Sequence, residues 1–274
     1  MSDRPKAELL LSHLNYYRFS GYCLAFEAPR HNFNGGVSFE HVFEAYQFDL
    51  TLRDLLTEAL EIVEVDLRAA MAYEWGHCHG AFGHTDSAKF FVHFKHSDWL
   101  SRLKEESGRS SELFVEHFKQ KYSEFPNLPV WIVTEVMSFG MLSRMFKGMN
   151  KSNQTPIARR YRLQPNILAS WMHHCVYIRN LCAHHSRLWD RVWAIKPQLP
   201  HGKDWQAPLT NLRLFPTLLL LRRLMHQMPA AIAFNATWKV RIEQHLDSPP
   251  KAPNAFELMG LPRDWRIHPA WNFA

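Results

Sequence analysis

Apolar residues recur at steps of three and four through residues 52–71, and this periodicity constrains the fold more than any other feature of the sequence. Because an α-helix has 3.6 residues per turn, the series predicts a long helix with one apolar face. Thr51 followed by Asp54 resembles a capping box and predicts the start of the helix, and Gly76 predicts its end. The opposite face, which we expect to be exposed, carries Glu58, Glu61, Glu64 and Arg68.

Further segments carry helical signals of their own. An almost wholly apolar run from Val130 to Met145 follows Pro129 and predicts one buried helix. Thr155-Pro156 and Pro165 predict the starts of the next two helices, because proline is tolerated in a first helical turn. No segment shows the period-two alternation of a strand, so we predict an all-α fold. Two later helices are expected over residues 217–226 and 235–246.

Composition and length limit the domain organisation. The chain has 274 residues, of which 46% are hydrophobic, so it can bury a large core and form one globular domain or two intimately packed ones. We expect a single all-helical domain over residues 1–247, with the helix of greatest functional interest spanning about 165–191. Prolines at 249, 250, 253, 262 and 269 predict an irregular tail over residues 248–274 that packs on the domain.

Several classes of protein are disfavoured by the same data. No apolar run approaches the ~20 residues that span a bilayer, and the first ten residues lack the apolar core of a signal peptide. Four scattered cysteines do not form a disulfide framework. We therefore expect a cytoplasmic protein without a membrane partner. The net charge of +6 and the pI near 9.2 favour a partner that carries phosphates.

Polar side chains interrupt the apolar pattern of the helix that begins at Pro165. Arg179 falls in the row of Leu168, Met172, Cys175 and Cys182, where an apolar residue is expected. A buried guanidinium needs a partner, so the alternatives are a functional role and an ion pair with a carboxylate such as Glu135. A second row is polar throughout and forms either a solvated face or a phosphate-binding cleft: His173, Tyr177, Asn180, His184 and Arg187.

Arginine and histidine together suit RNA cleavage without a metal or other cofactor. The His184 imidazole can take the proton of a ribose 2′-hydroxyl, while the Arg179 guanidinium stabilises the charge on the phosphate oxygens. Asn180 would orient the histidine or the phosphate. Five residues separate Arg179 from His184, roughly 140° around an ideal helix. We therefore also consider a symmetric homodimer in which the two side chains come from different subunits.

Neighbouring residues offer alternatives to this assignment. His185 follows Arg179 at a spacing that also permits a general base. His185 is also expected to contact RNA, together with Arg187, Arg191 and Tyr177, although arginines on a helix are more often solvent-exposed. Trp189 is more typical of a core residue than of a base-stacking platform.

A zinc site is disfavoured, because His77, Cys78, His79 and His84 fit no usual ligand spacing. The sequence also lacks the glycine-rich patterns of nucleotide-binding proteins and the serine-hydrolase elbow.

Longer blocks of sequence carry a family resemblance. Arg179-Asn180 followed by His184 matches the R-N-x-x-x-H form of the HEPN ribonuclease motif. The chain resembles the Abi-like family in five successive blocks: NYYRFSGY at 15–22, FEAYQFDLTLRDLLTEALEIVEVDLR at 43–68, NLPVWIVTEVMSFGMLSRMF at 127–146, IRNLCAHHSRLWDR at 178–191 and MGLPRDW at 259–265.

The resemblance implies a HEPN-type helical bundle with additional helices and a role in abortive infection, in which a bacterial protein halts growth after phage attack. It implies an endoribonuclease; the alternative is a non-catalytic RNA-binding or regulatory protein. An antitoxin protein or RNA would be a further partner of a toxin of this kind. Two features depart from the family: the sequence before residue 15 lacks the helix and the RGL-like element that the resemblance implies, and Asp190 stands where asparagine is usual.

Overall fold

Helices dominate residues 4–205 and 209–272, the part of the chain that the computed structural model describes. These ranges contain no strand and only two isolated β-bridges, which confirms the predicted all-α class. The α-helices are α1 (Arg4–His13), α2 (Tyr16–Cys23), α3 (Phe39–His79), α4 (His96–Arg109), α5 (Leu113–Lys121), α6 (Val130–Val136), α7 (Phe139–Gly148), α8 (Lys151–Arg160), α9 (Pro165–Ala183), α10 (Leu214–His226), α11 (Ile232–Leu246) and α12 (Ala255–Leu258). Helix α1 precedes the NYYRFSGY block, where none was expected.

Helix α3 is 41 residues long and begins well before the predicted start at Thr51. Its apolar stripe continues upstream through the buried residues Val42 and Ala45, so Thr51 and Asp54 lie inside the helix and cap nothing. The predicted end at Gly76 is also too early. The chain leaves the helix at Gly80, whose φ of 72° lies in the left-handed region that favours glycine.

Contacts divide the chain into two compact units. The first unit comprises the described parts of Met1–Leu60, Tyr177–His226 and Ala230–Ala274, and the second comprises Glu61–Val176 and Gln227–Pro229. Helices α3 and α9 each contribute residues to both units.

The first unit is held together by tryptophans. Helices α10 and α11 confirm the helices predicted over 217–226 and 235–246, and each begins three residues earlier than predicted. The buried Trp238 indole of α11 donates to the Leu55 carbonyl at 2.7 Å. The tail contains α12 and a short 3₁₀ turn, and it buries Trp265 and Trp271 with their ring centroids 5.9 Å apart. Residues 273 and 274 of the predicted tail lie outside the described range.

In the second unit, the single helix predicted over Val130–Met145 is two helices. Met137 is extended at the end of α6, and the Ser138 hydroxyl accepts a hydrogen bond from the Met141 amide at 3.4 Å, which starts α7. Arg68 fills the break: its buried guanidinium donates to the Met137 carbonyl at 2.7 Å and to the Thr134 carbonyl. The charge pattern placed Arg68 on an exposed face, and this was wrong because the end of α6 needs its donors.

The two proline signals of the second unit had different outcomes. Pro165 is the first residue of α9, as predicted. Pro156 lies inside α8, which begins at Lys151, so the predicted start at Thr155-Pro156 was wrong. The Thr155 hydroxyl donates to the Lys151 carbonyl at 2.7 Å instead of capping a new helix.

Candidate functional site

Helix α9 ends at Ala183, and the motif histidines lie in the turn that follows. The His185 amide donates to the Cys182 carbonyl at 2.9 Å, and the Ser186 amide donates to the Leu181 carbonyl at 2.8 Å. His185 has a φ of 53°, so the turn is a Schellman motif with histidine in the position that glycine usually takes. Helix α9 is therefore shorter than the motif helix that was predicted to extend to about residue 191. Arg187 lies beyond its end and does not continue the polar row that was predicted on this helix.

Helix α2 is tied to this turn at two points. The Arg18 guanidinium donates to the His185 carbonyl. The Arg187 guanidinium donates in the reverse direction, to the Gly21 carbonyl at 2.6 Å. The NYYRFSGY block and the motif block therefore meet in space, although more than 150 residues separate them in sequence.

A buried carboxylate on α3 organises the segment after the motif. Asp49 is completely buried, and its Oδ1 accepts the Trp189 amide at 2.7 Å. Its carboxylate also accepts the Leu188 amide at 3.1 Å, the Tyr22 hydroxyl at 2.7 Å and the Arg53 guanidinium at 2.7 Å. Two backbone amides in the interior are thereby satisfied, which fixes the path of the chain beyond the histidines.

Burial controls protonation in this cluster. Burial raises the pKa of Asp49, while the amides of Trp189 and Leu188, the Tyr22 hydroxyl and the Arg53 charge oppose the shift. Burial also raises the pKa of the Tyr22 phenol, which stays protonated and donates to Asp49. The hydrogen bonds of Asp49 to two backbone amides, the Arg53 guanidinium and the neutral Tyr22 phenol indicate a structural role for the cluster.

Asp190 holds the last part of the turn. Its φ of 48° is left-handed, a conformation that aspartate and asparagine tolerate better than other side chains. Its carboxylate pairs with Arg187 at 3.3 Å and with Arg213 at 3.2 Å. The half-buried Arg191 donates to the Arg187 carbonyl at 3.0 Å. Arg187 and Arg191, which we predicted to bind RNA, thus both contribute to the internal structure of the turn.

A surface groove of about 950 Å³, the motif groove, opens beside the turn. It is lined by the ends of α1 and α2, by one face of α3 and by the last turn of α9. Asp54 is the only acidic residue among the lining residues that the structure describes. The polar residues of the lining are His13, Asn15, Arg18, Tyr46, Arg53, Asp54, Thr57, Arg179, Cys182 and His185. The groove is therefore positively charged and suited to an anionic ligand.

The predicted site residues occupy different positions relative to this groove. Arg179 and His185 line it, whereas Asn180 and His184 are exposed and are not among its lining residues. Arg179 is itself exposed, so the prediction that its side chain is buried with the apolar row of α9 was wrong.

Tyr177 and Trp189, two aromatic residues near the motif, are at least half-buried. Tyr177 is half-buried, and its hydroxyl accepts the Ala194 amide at 3.4 Å. Trp189 is completely buried, which confirms the interpretation of this residue as part of the core.

Thiol chemistry is disfavoured in the groove. Burial raises the pKa of the Cys182 thiol to about 11, so this residue is a neutral thiol near neutral pH. In the described ranges, no group of three or more histidine, cysteine, aspartate or glutamate side chains is arranged to hold a metal ion.

Sequence reasoning missed Asp49, Arg53 and Arg18. A signal for Asp49 was present, because it falls between Ala45 and Leu52 on the apolar stripe of α3, where a charged residue needs a buried partner. Its partners come from distant parts of the chain, and no spacing rule connects them.

The comparisons with known proteins agree with the resemblance seen in the sequence. A family model described as Abi-like protein matches residues 9–190. No curated protein and no solved structure matches the chain. Among the described residues, no helix has the length and apolar character needed to cross a membrane.

Proposed function

The chain belongs to the Abi-like family, and from this membership and the motif groove we propose that it is a metal-independent endoribonuclease of the HEPN type. Membership of the family suggests a role in abortive infection. The observation that carries the proposal is the groove itself, which places Arg179 and His185 in one positively charged depression. RNA is the substrate class that such chemistry requires, because the attacking nucleophile is the 2′-hydroxyl.

The proposed reaction is an internal transfer of the phosphoryl group. A neutral imidazole takes the proton of the 2′-hydroxyl, and the 2′-oxygen attacks the adjacent phosphorus. The bond to the 5′-oxygen of the next nucleotide breaks, and this oxygen takes up a proton. Arg179 stabilises the negative charge that grows on the phosphate oxygens. The products are a 2′,3′-cyclic phosphate and a 5′-hydroxyl, and DNA is not a substrate.

Two histidines compete for the role of general base. We assign it to His184, whose spacing matches the motif, with Asn180 orienting the reacting groups. His185 lines the groove, and so it binds RNA there or replaces His184 as the base. The exposure of His184 outside the groove lining supports a homodimer in which His184 of one subunit completes the groove of the other.

Because Arg187, Arg191 and Tyr177 form hydrogen bonds within the protein, we assign them a role in supporting the site rather than in direct binding of RNA. Arg18 takes their place in the proposal, because it lines the groove and contacts the motif turn. In the cell, such an enzyme acts on cytoplasmic RNA, and an antitoxin protein or RNA that covers the groove would keep it silent.

Cleavage of a labelled RNA by purified variants in excess chelator tests the proposal. We expect cleavage by the wild type and a loss of at least a hundredfold in Arg179→Ala and in either His184→Ala or His185→Ala. Mixing Arg179→Ala with His184→Ala should restore part of the activity if the site spans two subunits. Salt-sensitive binding by the wild type without any product would contradict the proposal and favour a non-catalytic RNA-binding protein.

A further inference from the structure

The second unit carries a basic surface that the proposed active site does not use. Two depressions of about 680 Å³ and 590 Å³ share Phe91 and Lys147 in their walls, so they adjoin each other. We call this surface the Lys147 trough and define it by Phe91, Lys95, Arg102, Arg144, Lys147 and Lys151. Its residues come from α4, α7, the start of α8 and the loop before α4.

The five cations of the trough are all exposed. Asp98 is the only acidic residue in the walls of the two depressions, as far as the structure describes them. Lys95, Arg102 and Lys147 form no ion pair with any residue in 4–205 or 209–272, and the same holds for Lys151. Several cations that converge on one surface beside a single carboxylate favour a ligand with several phosphates.

An aromatic ring stands where the two depressions meet. Phe91 is 44% exposed, although the loop that carries it is firmly held. The Phe91 amide donates to the Gly148 carbonyl at 2.8 Å, and the Asn150 amide donates to the Lys89 carbonyl at 3.0 Å. A side chain at Gly148 would lie 2.5 Å from the Phe94 ring, so this close approach requires glycine. The trough therefore presents an ordered aromatic surface between two groups of cations.

We propose that the Lys147 trough binds single-stranded RNA, with phosphates on its cations and a base stacked on Phe91. The inference deepens the proposed function and rests on it for the identity of the polymer. Single strands are favoured over duplexes, because only unpaired bases expose a face to an aromatic side chain. The trough would hold a segment of RNA outside the motif groove and so increase the residence time of a substrate.

Binding of a fluorescent 20-nucleotide oligouridine tests the inference. The measurement uses the full chain carrying His184→Ala and His185→Ala, so that cleavage does not interfere. In this background, Arg102→Gln, Arg144→Gln and Lys147→Gln are combined. The matched control combines Arg109→Gln, Lys121→Gln and Arg159→Gln, three exposed positions of the same unit outside the trough that remove the same charge.

We expect the trough variant to bind at least tenfold more weakly than the control. The slope of log Kd against log salt should fall by about 2, since each phosphate contact of a single strand contributes about 0.7. Phe91→Ala should weaken binding about fivefold or more without changing this slope. Equal affinity of the trough variant and the control would overturn the inference. Equal loss of affinity for a duplex RNA would overturn the assignment to single strands.

Failure of this inference and failure of the proposed function give different results. If oligouridine binds through the trough but the wild type cleaves no RNA, the trough is supported and the nuclease proposal is wrong. If the wild type cleaves RNA and the trough variant binds like the control, only the inference about the trough is wrong.

Discussion

The two sides of the motif turn differ in burial and in partners. Below the turn, Asp49 is completely buried and accepts hydrogen bonds from two amides, a phenol and a guanidinium. On the surface, His184, His185 and Arg179 are exposed. The buried side specifies where the chain goes, whereas the exposed side is the one that we propose to bind RNA.

In our proposal, this difference separates residues that stabilise the fold from residues that carry chemistry. A buried polar cluster is costly when one member is removed, because the others lose their partners without regaining water. Exposed side chains can be removed at little cost to folding. We therefore expect a mutation on the buried side to lower mainly the stability and a mutation on the exposed side to lower mainly the activity.

The largest effect on stability is expected for Asp49→Ala. The substitution leaves the amides of Leu188 and Trp189 without an acceptor and the Arg53 charge buried without its partner. We expect a loss of about 3–5 kcal/mol in the free energy of unfolding, measured by urea denaturation. Asp49→Asn keeps the shape and one acceptor, so it should lose less. A loss below about 1 kcal/mol in Asp49→Ala would contradict the structural role of the cluster.

Buried and exposed histidines should also differ in their response to acid. Burial lowers the pKa of His84 to about 4 and that of His245 to about 4. The unfolded chain binds these protons near pH 6.5, so stability is fully present above that pH and is lost as the pH falls towards 4. Each gap in pKa, about 2.5, corresponds to at most about 3.4 kcal/mol.

Urea denaturation between pH 7 and pH 4 measures this effect. His245→Phe, which preserves the ring stacked on Phe48 at 4.0 Å, should reduce the acid sensitivity. The exposed His184→Ala serves as the control and should leave the pH profile unchanged. Identical profiles for His245→Phe and the wild type would show that His245 does not contribute.

Tyr22→Phe removes one donor from Asp49 and leaves the other three. We expect a loss of about 1 kcal/mol, because the ring stays buried and the hydroxyl loses its hydrogen bond to Asp49 and a longer one, at 3.3 Å, from Arg53. Thermal unfolding followed by circular dichroism measures the change. An effect as large as that of Asp49→Ala would show that the hydroxyl, rather than the carboxylate, organises the turn.

The smallest effect on stability is expected for Arg179→Ala, within about 0.5 kcal/mol of the wild type. The same variant should lose at least a hundredfold in RNA cleavage. Its unfolding transition and its cleavage rate should be measured on the same preparation. A loss of activity that accompanies a large loss of stability would mean that Arg179 supports the fold.

The helical class and the positions of several helices were predictable, because periodicity and proline placement act locally. The start of α9 at Pro165 follows from such a local rule. The break at Met137 and Ser138 was missed because Arg68, which is distant in sequence, binds the carbonyl groups at the end of α6.

The candidate site was predictable only in part, for a similar reason. The motif identified Arg179 and the two histidines, but the end of the helix depends on a histidine that takes a left-handed conformation. Asp49 and Arg18 reach the turn through tertiary contacts, and the periodicity of either segment does not reveal those contacts.

Cleavage of RNA through its 2′-hydroxyl in the motif groove can be tested directly by mapping the cleavage site of the wild type in excess chelator. The reaction is then repeated with one 2′-deoxy nucleotide on the 5′ side of that bond. We expect a 2′,3′-cyclic phosphate in the first reaction and loss of that cut alone in the second. Undiminished cleavage of the substituted bond, or products with a 3′-hydroxyl, would contradict this mechanism.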